Sequence, residues 1–390
     1  MPRPAFELAD IFRDYGERYC KAHLLTREQL RVMRAIEICR TATLGGHVEK
    51  CSQCDHIRIA YNSCRNRHCP KCQSRERQKW LADRQRELLP VEYFHVVFTL
   101  PEPIAHLAFQ NRKTICGILF QTASETLLTI ARDPKHLGAE IGFFAILHTW
   151  GQNLLFHPHV HCVVPGGGLS PDQERWISCR PGFFLPVRVL SRLFRRLLLE
   201  VLEKAFLKKK LRFFGQLEHL KEPSAFQRYL EPVREAEWVV YAKPPFGGPQ
   251  QVLAYLGRYT HRTAISNQRI LNVENGQVTF QWKDYRHKNK QKSRVMTVDA
   301  DEFMRRFLMH VQPPGFKRIR YCGWMASRHK KEKLALCRTL LTPARDLLPE
   351  PAAVSGQTQP SCCPQCKTGV MMRLGFIPAY LWPAKPPDSS

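Results

Sequence analysis

The sequence predicts an α+β fold, with a central antiparallel sheet between flanking helices and a small helical, cysteine-rich module in front of it. Runs of β-branched and aromatic residues at 93–100, 141–150 and 157–164 predict strands. A mostly helical segment, 104–131, separates the first run from the other two. This order is typical of α+β folds with a mainly antiparallel sheet. Pairs of cysteines precede all of these elements, which indicates a separate N-terminal module.

The N-terminal module is predicted to begin with helices. Apolar residues keep helical spacing within 6–40, and Thr26 followed by Gln29 has the pattern of a helix N-cap. A charged helix is expected at 75–89, where it ends near Pro90.

Two C-x-x-C pairs lie in this module, Cys51 with Cys54 and Cys69 with Cys72. Two such pairs at this separation are typical of one zinc ion in tetrahedral coordination. Four protein ligands leave no open position, so we expect structural Zn²⁺, with four unligated thiols as the alternative. Cys64 and His68 lie nearby, as part of a second site or simply around the first.

The later chain continues the mixed pattern. The predicted elements are a long basic helix at 186–214, a strand at 238–242, a helix at 250–261, a hairpin at 268–282 that turns at 274–276, and a helix from Asp299 to His310. The expected domains are a helical and zinc-binding domain at 1–90, a catalytic domain at 91–310, a basic extension at 311–348, and a Pro- and Ser-rich tail at 349–390. We expect this tail to be largely disordered, or to form a small knuckle at Cys363 and Cys366 that lacks an obvious partner pair.

The charge of the chain points to a polyanion. Sixty Lys and Arg against 34 Asp and Glu give a net charge of +26. Nucleic acid is the expected partner of such an excess, and a membrane surface is the competing one. The N-terminus lacks an apolar signal region, and the fifteen cysteines recur in pairs typical of metal binding, so we expect a reducing compartment and no membrane.

Three histidines share one face of a predicted strand. His157, His159 and His161 alternate along the run, so their imidazoles project the same way. Such a row could hold a divalent metal ion. Half-buried or surface histidines in a basic protein are the alternative interpretation.

A pair of tyrosines lies on the helix predicted at 250–261. Tyr255 and Tyr259 are four residues apart and share a helix face, with Arg258, His261 and Arg262 around them. Two core aromatics are the alternative. A tyrosine hydroxyl, whose pKa is near 10, needs a metal ion or cations before it can attack a phosphodiester as a covalent nucleophile.

Together these motifs resemble a known family. His159-Val160-His161 resembles the His-hydrophobic-His motif of HUH endonucleases, and Tyr255 with Tyr259 resembles the two-tyrosine signature of rolling-circle transposases. With the zinc segment and its residues 62–70, the layout over residues 10–340 is similar to transposases of the insertion-sequence-91 family.

The resemblance implies a function. It implies a five-stranded antiparallel sheet that carries a metal-dependent endonuclease and strand transferase. The enzyme would nick and rejoin single-stranded DNA at element ends through a 5′-phosphotyrosine. His159 and His161 would bind Mg²⁺ or Mn²⁺, and Tyr255 and Tyr259 would be the nucleophiles. Gln152 is our first choice as third metal ligand, His261 the second and His157 the third.

Other functions fit parts of the sequence. A plasmid relaxase or replication initiator shares this chemistry, and a zinc-containing nucleic-acid-binding protein without catalysis fits the charge and the cysteines. A metal hydrolase with H-x-H on a barrel strand would need repeated βα units, which the sequence does not show. No P-loop motif is present, so a host helicase would have to supply strand displacement. The expected location is the bacterial cytoplasm, in association with the nucleoid.

Overall fold

The computed structural model describes residues 4–72, 80–243, 251–252, 255, 263–284, 292–326, 328–341 and 362–380. The helices are α1 Leu8–Ala22, α2 Arg27–Glu37, α3 Glu102–Gln110, α4 Arg112–Arg132, α5 Val187–Leu207, α6 Pro223–Glu235, α7 Ala300–Leu308 and α8 Lys330–Leu341. The strands are β1 Gly46–Cys51, β2 Ile57–Tyr61, β3 Tyr93–Thr99, β4 Gly142–Trp150, β5 Phe156–Pro165, β6 Gly167–Leu169, β7 Trp176–Ser178, β8 Val240–Lys243, β9 Ile270–Glu274, β10 Gln277–Asp284, β11 Lys292–Asp299, β12 Ile319–Gly323 and β13 Met371–Ile377.

A five-stranded sheet forms the centre of the molecule. Its order is β12-β4-β5-β3-β8, and each neighbouring pair is antiparallel. The predicted α+β class and antiparallel sheet are therefore confirmed. The edge strand β12 lies beyond residue 310, so the sheet also uses the segment that was predicted to be a basic extension. The basic residues of that segment obscured a five-residue strand. A strand forms where side chains fit a pleated surface, and the net charge of a segment does not report that fit.

The strands of the sheet obey the two-residue alternation of their side chains. Phe94, Phe98, Leu147 and Val160 point to one face, where they form a single buried core with helices α3 to α6. Phe194 of α5 packs in this core. The opposite face of the sheet carries the histidines. A one-residue shift in register would exchange the two sets, so the apolar face fixes the position of the histidine face.

Helix α4 belongs to the apolar core. It is long and apolar enough by composition to cross a membrane, but 61% of its most apolar window is buried in the protein. Ile115, Leu119 and Leu127 are completely buried against the sheet. Its hydrophobicity is thus explained by its packing under the sheet.

A second core joins the N-terminal helices to the β9–β11 sheet and α7. The predicted cap at Thr26 is present, since its side chain accepts a hydrogen bond from the Gln29 amide. Phe12 of α1 packs edge-on against Phe307 of α7, with ring centroids 5.6 Å apart. The predicted turn at 274–276 is also present, with positive φ at Asn275 and Gly276 between β9 and β10.

A third, small sheet brings the two ends of the chain together. Its order is β13-β1-β2, and both pairs are antiparallel. The prediction of a disordered tail at 349–390 is therefore wrong for 362–380, which contains β13. Proline and serine dominate the preceding residues, but β13 itself is apolar and obtains its hydrogen bonds from β1, which sequence proximity does not indicate.

We predict that Phe194→Ala lowers the free energy of unfolding by about 3–5 kcal/mol, because the change leaves a cavity in the main core. The ring lies 4.9 Å from that of Phe98 and 5.3 Å from that of Trp238, centroid to centroid. Urea unfolding monitored by circular dichroism measures the effect. Leu207→Ala on the same helix, at a side chain that is 75% exposed, is the control and should change stability by less than about 0.5 kcal/mol. Equal effects of the two substitutions would contradict the assigned core.

Candidate functional site

The histidine face of the sheet contains a compact cluster of three imidazoles. His159 and His161 lie on β5, and His148 lies directly opposite His159 on β4. One ring nitrogen of each residue lies within 4.8 Å of the others, a spacing that could hold a metal ion. His148 is not among the ligands predicted from the sequence. The sequence does contain a signal for it, namely a histidine within the buried strand β4. Side-chain alternation along this strand places that histidine on the same face as the other two.

The third-ligand candidates from sequence are placed differently. Gln152 lies in the turn between β4 and β5, where its backbone carbonyl accepts a hydrogen bond from Arg269. His157 is exposed at the start of β5, and His261 lies outside the described residues. His148 is the additional histidine that the structure brings together with His159 and His161.

The surroundings of His159 favour a metal ligand. Its Nδ1 lies 2.6 Å from the His157 carbonyl oxygen. A carbonyl oxygen only accepts, so Nδ1 carries the proton and Nε2 keeps its lone pair. Burial lowers the pKa of His159 to about 4. His159 is therefore neutral at pH 7, the form in which imidazole binds metal ions.

A hydrogen-bonded chain leads from this cluster to one of the predicted nucleophiles. The hydroxyl of Tyr255 lies 2.8 Å from His95 Nε2, and the same nitrogen lies 2.8 Å from His161 Nδ1. His95 is on β3, and its ring stacks on His161 with centroids 5.0 Å apart. Sequence analysis did not identify His95, because only the sheet order places β3 beside β5. Tyr255 is only 8% exposed, whereas Tyr259 lies outside the described residues.

A groove opens beside the histidine cluster. It has a volume of about 1150 Å³ and reaches His157, whose ring centroid is 5.3 Å from that of His159. Its wall includes the exposed rings of Phe109 and Phe214, together with Glu102 and with Arg305, whose guanidinium donates two hydrogen bonds to Glu302. Exposed aromatic rings are typical of surfaces on which unpaired bases stack.

The cysteines form two separate clusters. One contains Cys39, Cys64, Cys69 and Cys72, and the other contains Cys51, Cys54, Cys363 and Cys366. The expectation that Cys51, Cys54, Cys69 and Cys72 share one ion is therefore wrong. Each group has the four thiols that structural zinc requires.

The hairpin β1–β2 explains why the two predicted pairs are apart. Cys51 ends β1 near the turn, while Cys64 to Cys72 follow the far end of β2. Six residues of extended strand span about 17 Å, so the pairs lie at opposite ends of the hairpin. Sequence proximity suggested one site, because the partners Cys363 and Cys366 are more than three hundred residues away.

The zinc module is also attached to the central domain. The guanidinium of Arg67, in the loop between Cys64 and Cys69, donates to the carbonyl oxygens of Phe316, Gln312 and Pro313 at 2.8, 3.5 and 3.4 Å. These carbonyls precede β12, the edge strand of the central sheet. Arg67 therefore holds the first cysteine cluster against the segment that leads into the sheet.

Comparison with known proteins identifies two matching family models. One, described as "Transposase zinc-binding domain", matches residues 11–100, and the other, described as "Putative transposase", matches residues 142–333. The first range contains the Cys39–Cys72 cluster, and the second contains the three histidines and Tyr255. Together with the cysteine clusters, the first match supports structural zinc.

Two relatives cover most of the chain. The protein named "Putative transposase y4qJ" from Sinorhizobium fredii is 59% identical over 401 residues and covers 100% of both chains. The "Transposase for insertion sequence element IS801" from Pseudomonas savastanoi pv. phaseolicola is 28% identical over 333 residues, with 83% of this chain and 78% of the relative covered. No solved structure matches. From the two domain models and these relatives, the chain belongs to the insertion-sequence-91 family of transposases and has an N-terminal zinc-binding domain.

Proposed function

We propose that this transposase nicks and rejoins single-stranded DNA at element ends, by the rolling-circle route, through a 5′-phosphotyrosine on Tyr255. The observation that carries the proposal is the chain from the Tyr255 hydroxyl through His95 to His161. It supports the roles proposed here for neighbouring side chains: nucleophile for Tyr255, proton acceptor for His95 and metal ligand for His161. These are the components that a tyrosine needs to attack a phosphodiester.

His95 is the proposed proton acceptor. It lies within hydrogen-bonding distance of the Tyr255 hydroxyl, so it can take the phenolic proton as the oxygen attacks phosphorus. The new bond joins the tyrosine oxygen to phosphorus, the P–O3′ bond breaks, and the departing 3′-oxygen takes a proton. Attack by a 3′-hydroxyl reverses these changes and rejoins a strand without ATP.

His148, His159 and His161 are the proposed ligands of the divalent metal ion. When bound, the ion polarises the scissile phosphate and stabilises the charge that develops on it. With three imidazoles, Mn²⁺ fits the site better than Mg²⁺, which prefers oxygen ligands. Gln152 remains the alternative third ligand.

Tyr259 is proposed as a second nucleophile. It is four residues from Tyr255, the spacing that puts two side chains on one face of a helix. Residues 251–252 and Tyr255 are helical, as predicted for the start of this segment. Two nucleophiles allow two successive links to DNA strand ends. A host helicase would separate the strands, and the bacterial nucleoid is the proposed place of action.

The groove beside His157 is the proposed path of the DNA strand. Phe109 and Phe214 would stack on unpaired bases. Duplex DNA keeps its bases stacked internally, so this groove favours single strands. The groove reaches His157, whose ring centroid lies 5.3 Å from that of His159, so a strand in it would run towards the proposed metal ligands.

We predict that a Tyr255→Phe, Tyr259→Phe double variant forms no covalent adduct with labelled single-stranded DNA, because both proposed nucleophilic oxygens are gone. Incubation with Mn²⁺ and denaturing electrophoresis detect the adduct, and peptide mass spectrometry of the parent protein should find the nucleotide on Tyr255. Tyr61→Phe, at an exposed tyrosine of the zinc module, is the control and should leave the adduct unchanged. An adduct that persists in the double variant would refute the proposal.

We predict that His148→Ala reduces cleavage by about 100-fold or more, since losing a ligand removes several kcal/mol of charge stabilisation. Single-turnover cleavage of labelled DNA measures this, and DNA binding by fluorescence anisotropy should change little. Gln152→Ala is the matched variant at the other candidate ligand and should cleave at close to the parent rate. A large loss with Gln152→Ala and none with His148→Ala would reverse the assignment of the third ligand.

We predict that Phe214→Ala weakens binding to single-stranded DNA by roughly 5- to 150-fold, the equivalent of about 1–3 kcal/mol for one stacked base. Fluorescence anisotropy with single-stranded and duplex oligonucleotides at fixed salt measures the effect, and duplex binding should be unaffected. Phe183→Ala is the control, at a ring of similar exposure (50% against 58%) outside the groove. Equal losses for both variants would remove the groove from the proposed path.

A further inference from the structure

We propose that the chain binds a second structural zinc ion between Cys51, Cys54, Cys363 and Cys366, and that this ion joins the C-terminal strand β13 to the N-terminal zinc module. The family model for the zinc-binding domain ends at residue 100, so it contains only half of these ligands. The module recognised from sequence is therefore incomplete without residues from the far end of the chain.

The sulfur positions fit a zinc tetrahedron. Cys51 Sγ lies 3.6 Å from Cys366 Sγ, and Cys54 Sγ lies 3.6 Å from Cys363 Sγ. Tetrahedral zinc with Zn–S bonds of about 2.3 Å requires sulfur–sulfur distances of about 3.8 Å. A disulfide would need about 2.05 Å. The four thiols are thus arranged around a common centre rather than paired.

Backbone amides support the thiolate form of these cysteines. The backbone amide of Gln53 donates to Cys51 Sγ at 3.3 Å. The backbone amide of Gln365 makes the equivalent contact to Cys363 Sγ, at 3.4 Å. Gly369 also donates to Cys366 Sγ, at 3.2 Å. Donors directed at a metal-bound sulfur stabilise its negative charge and fix its orientation.

Gly369 shows that the two segments approach closely at this point. A Cβ atom on this residue would lie 2.3 Å from Cys51 Sγ, closer than any side chain could be placed. The Gly369 carbonyl accepts a hydrogen bond from the Cys363 amide at 2.7 Å, and the next residue, Val370, accepts one from Ser52 at 2.9 Å. The turn that carries Cys363 and Cys366 therefore packs directly against the turn that carries Cys51 and Cys54.

The small sheet needs such a centre because it has little apolar core. Its buried cluster consists of Cys51, Cys363 and Met371, with Cys54 and Cys366 packed against it. Ile57 is 57% exposed and Phe376 is 78% exposed, so large side chains contribute little burial. Three short strands without a hydrophobic core are marginal in water, and a structural metal supplies the missing free energy. Zinc would thus be the main interaction that holds β13 in place.

Zinc content of the purified full-length protein tests the proposal. Mass spectrometry of the metal should find that the Cys363→Ser, Cys366→Ser double variant holds one zinc ion fewer per chain than the parent. Cys362→Ser is the control, because this exposed neighbour lies outside both clusters and its loss should leave the content unchanged. A double-serine variant with the parent zinc content would overturn the proposal.

A second variant separates ligand loss from misfolding. Cys366→His keeps a zinc ligand at the position and should retain the parent zinc content, even if the double-serine variant fails to fold and loses all zinc. Loss of zinc from Cys366→His to the level of the double-serine variant would count against coordination at this position. A Cys54–Cys363 disulfide in protein purified under reducing conditions would also overturn the proposal.

Discussion

The strict alternation of side chains along β5 is the constraint on which the rest of this structure depends. Val160, Cys162 and Val164 face the helical core, so His159 and His161 must face the other way. The free energy that holds the register is supplied largely by the apolar row, which displacement by one residue would move out of the helical core. The histidines therefore occupy a rigid position without contributing to the core themselves. The side chains proposed as metal ligands are therefore in position before DNA arrives.

The two cysteine clusters stabilise parts of the molecule that have different amounts of apolar core around them. The N-terminal module has short elements, and its first cluster lies at the edge of the second core, where Cys39 and Cys69 are completely buried. The second cluster has almost no core around it and depends on the ligands themselves. Arg67 then connects the first cluster to the carbonyls before β12, so the module is coupled to the sheet that carries the histidines.

Sequence-based prediction was accurate wherever the pattern was local. The strands β3, β4 and β5, the cap at Thr26 and the turn at Asn275-Gly276 depend on side-chain period, capping and turn chemistry within a few residues. It was inaccurate wherever a long-range partner decided the outcome. Charged residues obscured β12 and β11, and the proline-rich tail concealed β13, because these strands are defined by the neighbours that complete their hydrogen bonds.

The candidate site likewise has features that follow from local sequence and features that depend on long-range neighbours. By itself, the sequence determined that His159 and His161 share a face, that cysteine pairs are present for zinc, and that the chain carries a large positive charge. Only the tertiary structure decided that His148 faces His159 from the adjacent strand, that His95 lies between Tyr255 and His161, and that Cys363 and Cys366 complete the site of Cys51 and Cys54. The physical reason is that ligand geometry depends on which strands and loops are neighbours. Strand order and the contact between the two chain ends are properties of the packed molecule, and local periodicity in the sequence does not report them.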